Sequence, residues 1–201
     1  MRFSLFLAVL VLLGSTAAQA ASPEDCAKIA DDNRRLTCFD LIFRKSSHTE
    51  KADYSKWRVT IERSKIDDTT NVFMFLDARG EIRRRFGGTG YPTLVIACRE
   101  NKTGLWLTFA GHFMADNGSY GDVTFRIDSE KAFDRSLSES TDHEALGLWS
   151  GDRSIPFIKQ LFGKKTLLVR ATPFSESSLT MEFPITGVED AIEPLRKACH
   201  W

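Results

Sequence analysis

Cysteine placement sets the tightest limit on this chain. Cys26, Cys38, Cys98 and Cys199 all follow an N-terminal segment that reads as a secretory signal. There Arg2 supplies the charge, Leu5 to Gly14 (LFLAVLVLLG) the apolar run, and Ala18-Gln19-Ala20 the small-residue cleavage site. Residues 1–20 are expected to be removed before Ala21. The run falls short of the roughly 20 apolar residues of a membrane span, and no other stretch is long and apolar enough for one. An even cysteine count in an exported chain points to disulfides in an oxidising compartment, and four cysteines allow three pairings. Cys26–Cys38 with Cys98–Cys199 is the favoured set. The first bridge staples one short segment, and the second clips the C-terminus to the middle of the body. Zinc is the rival use of these residues. It lacks both a C-x-x-C pair and a histidine at ligand spacing, so no metal and no cofactor is expected.

The pattern divides the mature chain into three parts. Residues 21–44 read as a helical pair: Ser22 is an N-cap candidate, Pro23 stands at the first helical position, and an acid follows three residues on. Asp31-Asp32-Asn33 ends one turn and starts another. Residues 45–55 (KSSHTEKADYS) are polar and read as a linker. From residue 56 the period shortens to two. Trp57, Val59 and Ile61 alternate with polar residues, as do Val123, Phe125 and Ile127. Asn71 to Leu76 is apolar on both faces, which fits a central strand. Leu94–Cys98 and Leu105–Phe109 flank a hairpin loop over 99–104, and Leu167–Arg170 and Leu179–Phe183 add two strands. Ser154 is expected to cap a helix through Phe162. Val188, Ala191, Ile192, Leu195, Ala198 and Cys199 trace a second helical face, which Pro194 kinks or restarts. The fold class is therefore mainly β with peripheral helices: an antiparallel sandwich or a curled, barrel-like sheet over 56–201, stapled by disulfides.

The chain of 201 residues carries 27 basic and 27 acidic side chains, a balance that argues against nucleic-acid binding. Gly87-Gly88-Thr89-Gly90 lacks the G-K-[ST] ending of a phosphate loop and reads as a hairpin turn. Arg83-Arg84-Arg85 beside it is the densest basic run, either a solvated turn or a contact for an anionic polymer or lipid. Asp67 and Asp68 lack the D-x-D-x-D-G calcium pattern and suit a turn that bonds its own backbone. No hydrolase motif is present; Asp142-His143-Glu144 holds a histidine but no marked nucleophile, so no catalytic residue is assigned. Trp57 and Trp106 are expected in the core. Trp201, tied down beside Cys199, is expected to act as a plug or to meet a partner.

These pieces, taken in order, resemble one family. They are Cys26 to Asp40 (CAKIADDNRRLTCFD), Trp57, Ser64 to Asp68 before Asn71-Val72, Leu94 to Cys98 with Asn101-Lys102-Thr103, and Val123 to Asp128. The set closes with Phe183, Gly187, Ala191-Ile192, Pro194-Leu195 and Ala198 to Trp201. The chain resembles the type VI secretion system-associated proteins, the VasI or TagO-like group. The resemblance implies a periplasmic protein of a Gram-negative cell. It also implies a non-enzymatic accessory beside a contractile machine, whose partner is a machine component in the envelope. The other reading is a peptidoglycan binder or lysozyme-inhibitor-like protein. The family brings no catalytic residues. Its polar positions here are Asp67, Asp68, Arg126 and Asp128, which suit either a buried ion-pair network or a recognition surface.

Overall fold

The computed structural model describes residues 22–47 and 56–201. The signal segment 1–20, residues 48–55 of the linker and His48 lie outside the described residues. The described residues fall into two compact units, 22–47 and 56–201.

In the first unit, α1 (Pro23–Ala27) begins as its sequence dictates. Ser22 caps the Asp25 backbone, and the Asp25 carboxylate bonds back to the Ser22 amide, a reciprocal capping box. Asp31 caps α2 (Asp32–Ser47) with a single bond, its Oδ1 accepting from the Arg34 amide at 2.8 Å. Cys26 and Cys38 are bonded, with Cα atoms 5.5 Å apart.

The second unit is built on two antiparallel sheets. The larger uses β1 (Arg58–Arg63), β2 (Thr70–Asp77), β5 (Thr93–Arg99), β6 (Lys102–Thr108), β9 (Ser138–Glu139) and β10 (Ala145–Leu148), in the order β1-β2-β5-β6-β10-β9. The smaller uses β7 (Asp122–Ile127), β8 (Phe133–Ser136), β11 (Leu167–Ala171) and β12 (Leu179–Phe183), in the order β12-β11-β7-β8. A two-stranded ribbon, β3 (Ile82–Arg83) with β4 (Thr89–Gly90), projects from the chain between β2 and β5. Neither sheet closes into a barrel, so of the two arrangements expected the sandwich-like one is present.

Period-two alternation decides which face meets the core. Val72, Met74 and Leu76 of β2, Leu94, Ile96 and Cys98 of β5, Leu105 and Leu107 of β6, and Leu146 and Leu148 of β10 enter one cluster. Val123, Phe125, Ile127, Leu167, Val169, Met181 and Phe183 of the smaller sheet belong to the same cluster. The helices contribute too. α3 (Gly151–Gln160) sends Phe157 against Phe125, ring centroids 4.9 Å apart. α4 (Val188–Ala191) and α5 (Glu193–Cys199) divide where Pro194 restarts the helix, and Cys199 is bonded to Cys98 on β5, Cα atoms 5.7 Å apart.

Three local expectations are corrected. Helix α3 starts at Gly151, so Ser154 lies inside it rather than at its cap; the buried hydroxyl donates to the Thr103 carbonyl at 2.9 Å. The β5–β6 loop has two residues instead of six. Glu100 and Asn101 both take positive φ, 50° and 58°, and the Asn71 side chain accepts the Glu100 amide at 3.0 Å. Ile61 faces the core side of β1 but stays 58% exposed, because β1 is an edge strand that only β2 flanks. Among the described residues, no helix is long and apolar enough to cross a membrane.

Candidate functional site

The outer face of the larger sheet holds a groove. Strand alternation places Ala97, Arg99, Lys102, Gly104, Trp106, Thr108 and Ala145 on the side away from the core. The end of β9 supplies Glu139, and the loop after it rises beside them with Ser140, Asp142 and Glu144. With Trp149 these residues line a cavity of about 570 Å³. That volume lies in the range of small-ligand sites, about 300–1,000 Å³.

Its centre is a pair of identical tripeptides, Gly104-Leu105-Trp106 on β6 and Gly147-Leu148-Trp149 at the end of β10. The antiparallel register sets Leu105 opposite Leu148 and Trp106 opposite Gly147. Continuing it brings Trp149 opposite Gly104, and each ring lies over its own segment's glycine: Trp106 ring atoms come within 3.7 Å of the Cβ position at Gly104, and Trp149 ring atoms within 2.8 Å of that at Gly147. The two rings stack, centroids 5.4 Å apart and planes 29° from parallel. Trp149 is 40% exposed, and its Nε1–H donates to the Ser138 carbonyl at 3.0 Å. Trp106 was expected in the core; it is half-buried on the outer face, whereas Trp57 is buried in the core as expected.

The loop over 139–144 is held by its own polar groups. Ser140 Oγ bonds the Asp142 carboxylate, Asp142 also accepts the Glu144 amide at 3.1 Å, and Ser140 Oγ accepts the Ala145 amide at 3.0 Å. The Ser140 bond, then the Glu144 amide, keep the Asp142 carboxyl below the usual carboxylate range and therefore ionised at neutral pH. Glu139 Oε2 lies 3.0 Å from His143 Nδ1. The groove's acids are thus partly committed to neighbours. On the loop's other side His143 stacks on Phe113 at 4.7 Å. Phe113 meets Phe174 at 6.1 Å, and Phe174 meets Tyr120 at 5.2 Å. Phe113 and Phe174 are each 38% exposed. One loop therefore shapes two adjoining surfaces, a groove and an aromatic cluster.

Of the candidate binding residues singled out from sequence, Arg83 to Arg85 border the aromatic cluster, Arg85 pairing with Glu176 at 3.8 Å, and none lines the groove. Asp67 sits in the exposed β1–β2 turn and accepts from the Thr69 amide at 3.2 Å; Asp68 pairs with Arg63 at 3.1 Å. On the smaller sheet Arg126 donates to the Glu130 carbonyl at 3.0 Å, and Asp128 accepts the Lys165 and Thr166 amides. These four side chains are exposed or half-exposed and locally engaged, so they form no common buried network. Arg83, Arg84 and Arg85 are exposed on the β3–β4 ribbon. His112, buried beneath it, places Nε2 2.7 Å from the Arg83 carbonyl and Nδ1 3.0 Å from Glu176 Oε2. Trp201 is half-buried. Its Nε1–H donates to Thr103 Oγ1 at 2.8 Å, with Lys159 and Arg196 over its ring.

Fold and surfaces together define a disulfide-clipped two-sheet β domain with a groove on the outer face of its larger sheet and an aromatic cluster beside it. The chain belongs to the family described as type VI secretion system VasI, EvfG, VC_A0118, which matches residues 25–201. Membership points to an accessory role in type VI secretion. No curated protein matches the chain. Among solved structures, the crystal structure of invasion associated protein B from Bartonella henselae is similar at 13% identity and a TM-score of 0.45, over 70% of this chain and 90% of that one.

Proposed function

We propose that this chain works in the periplasm as a non-enzymatic accessory of a type VI secretion system, and that it binds a protein component of the machine. Family membership supports the system, and the bridged cysteines suit an oxidising compartment. The observation that carries the binding role is the aromatic cluster of Phe113, Phe174 and Tyr120 left at the surface. Such rings cost little entropy to immobilise and supply large contact area, which is why aromatic residues concentrate at protein interfaces. His143 and Glu139 give the cluster a polar rim. The test is complementation of a deletion strain, read as release of the machine's tube protein into the medium. The wild-type gene restores release, and the double variant Phe113→Asp, Phe174→Asp does not, although it accumulates to the wild-type level. Full release with the double variant would remove this surface from the account.

A further inference from the structure

We infer that the Trp106–Trp149 groove is a binding site for a neutral glycan. It rests on Trp106 and Trp149, shares only Glu139 with the rim of the proposed machine contact, and does not depend on that contact.

The argument starts with the aromatic floor. Each indole faces a glycine, and a Cβ at Gly147 would lie 2.8 Å from both Trp106 Cβ and the Trp149 ring. The missing side chain is what lets the rings lie where they do. Trp149 has its one polar atom occupied by Ser138, so the exposed remainder is π surface. An aromatic face is electronegative at its centre. It attracts the polarised C–H bonds that line one side of a pyranose ring.

The rim supplies what a sugar's edge requires. Hydroxyl groups both donate and accept, and the groove offers both partners: Glu100 and Glu144 accept, Arg99 and Lys102 donate, and Thr141 does either. Charge excludes an anionic polymer as the better occupant, because four carboxylates, Glu100, Glu139, Asp142 and Glu144, face only two cations, Arg99 and Lys102. An added peptide strand fits poorly as well. The floor is formed by β5, β6 and β10, whose backbone groups already pair within the sheet, and strand addition needs a free edge. Lys102 to Thr108 runs about 20 Å along β6, room for a short oligosaccharide rather than one sugar.

The test titrates the full mature protein with two soluble probes, an oligomer of β-1,4-linked N-acetylglucosamine and one of β-1,4-linked glucose. The readouts are tryptophan emission and the indole N–H signals in NMR. Saturable binding of at least one probe is expected, with shifts centred on Trp106 and Trp149 and little dependence on salt. Trp149→Ala should weaken binding about tenfold, equivalent to ~1.4 kcal/mol. Trp149→Phe should recover part of it, since a ring face is restored. Trp149 is 40% exposed and outside the core cluster, so its removal is expected to keep the fold, checked by wild-type-like NMR signals away from the groove. The inference is overturned by absence of binding for both probes up to millimolar concentration, by equal affinity in Trp149→Ala, or by preference for an anionic polymer such as polygalacturonate.

Discussion

Two glycines that look alike in sequence differ at the residue scale. Gly147 has no room for a side chain: its Cβ would meet Trp106 Cβ at 2.8 Å, an atom close to the backbone that cannot swing away. At Gly104 the nearest atom is the Leu148 carbonyl oxygen at 3.6 Å, an ordinary contact. Gly147→Ala is therefore expected to destabilise by about 1–3 kcal/mol through overpacking, and Gly104→Ala to change little. Urea unfolding of the pair checks this, and equal midpoints would contradict it. Ser154 offers a second case. Its buried hydroxyl reaches the Thr103 carbonyl while Thr103 Oγ1 receives the Trp201 indole, so one residue ties α3 and the C-terminus to β6. Ser154→Ala removes a single neutral hydrogen bond and should lower stability by about 1 kcal/mol, measured by the same unfolding curve.

Among elements, β1 is the strand whose attachment depends on pH. Arg58 donates from Nη1 to Asp77 Oδ2 at 2.5 Å and from Nη2 to Oδ1 at 3.2 Å, linking β1 to β2. That bond, aided by Thr93, holds the Asp77 carboxyl below the usual carboxylate range. Its contribution is then fully present above the ordinary carboxylate pKa and is lost as pH falls through the depressed folded-state value. Both side chains are more than a third exposed, so the effect stays below about 1 kcal/mol. Asp77→Asn should flatten the acid side of the stability–pH curve and leave the neutral side lower by that amount; an unchanged acid limb would contradict it. Strict alternation made β7 legible, and the run Asn71 to Leu76 was legible because it is apolar on both faces, as suits a strand flanked by β1 and β5. The pairing of cysteines was legible too, since each half-bridge lay on an element whose place could be argued. The short strands β8, β9 and β10 were not. Two to four residues carry too little periodicity to separate a strand from a turn. The groove was missed with them, although the repeated Gly-Leu-Trp tripeptide was its one sequence signal. That signal becomes readable only once β6 and β10 are known to be neighbours.

For the whole molecule, Cys98–Cys199 closes the body. The bridge spans 101 residues and joins the last helix to an interior strand. Replacing both cysteines by alanine should cost about 2–5 kcal/mol, seen as a lower melting temperature; a shift of under a degree would mean the hydrophobic face of α5 holds the helix unaided. In the proposed role, the two bridges hold a stable body that suits an oxidising compartment, and the aromatic cluster is the surface it offers to a partner. The most direct test of that role is cross-linking of the tagged protein in its own cells, followed by mass spectrometry, with a periplasmic bystander as control. The account predicts recovery of membrane-core or baseplate proteins of the secretion machine, lost in the Phe113→Asp, Phe174→Asp variant. Recovery of cell-wall fragments or wall enzymes alone, with no machine component, would contradict it.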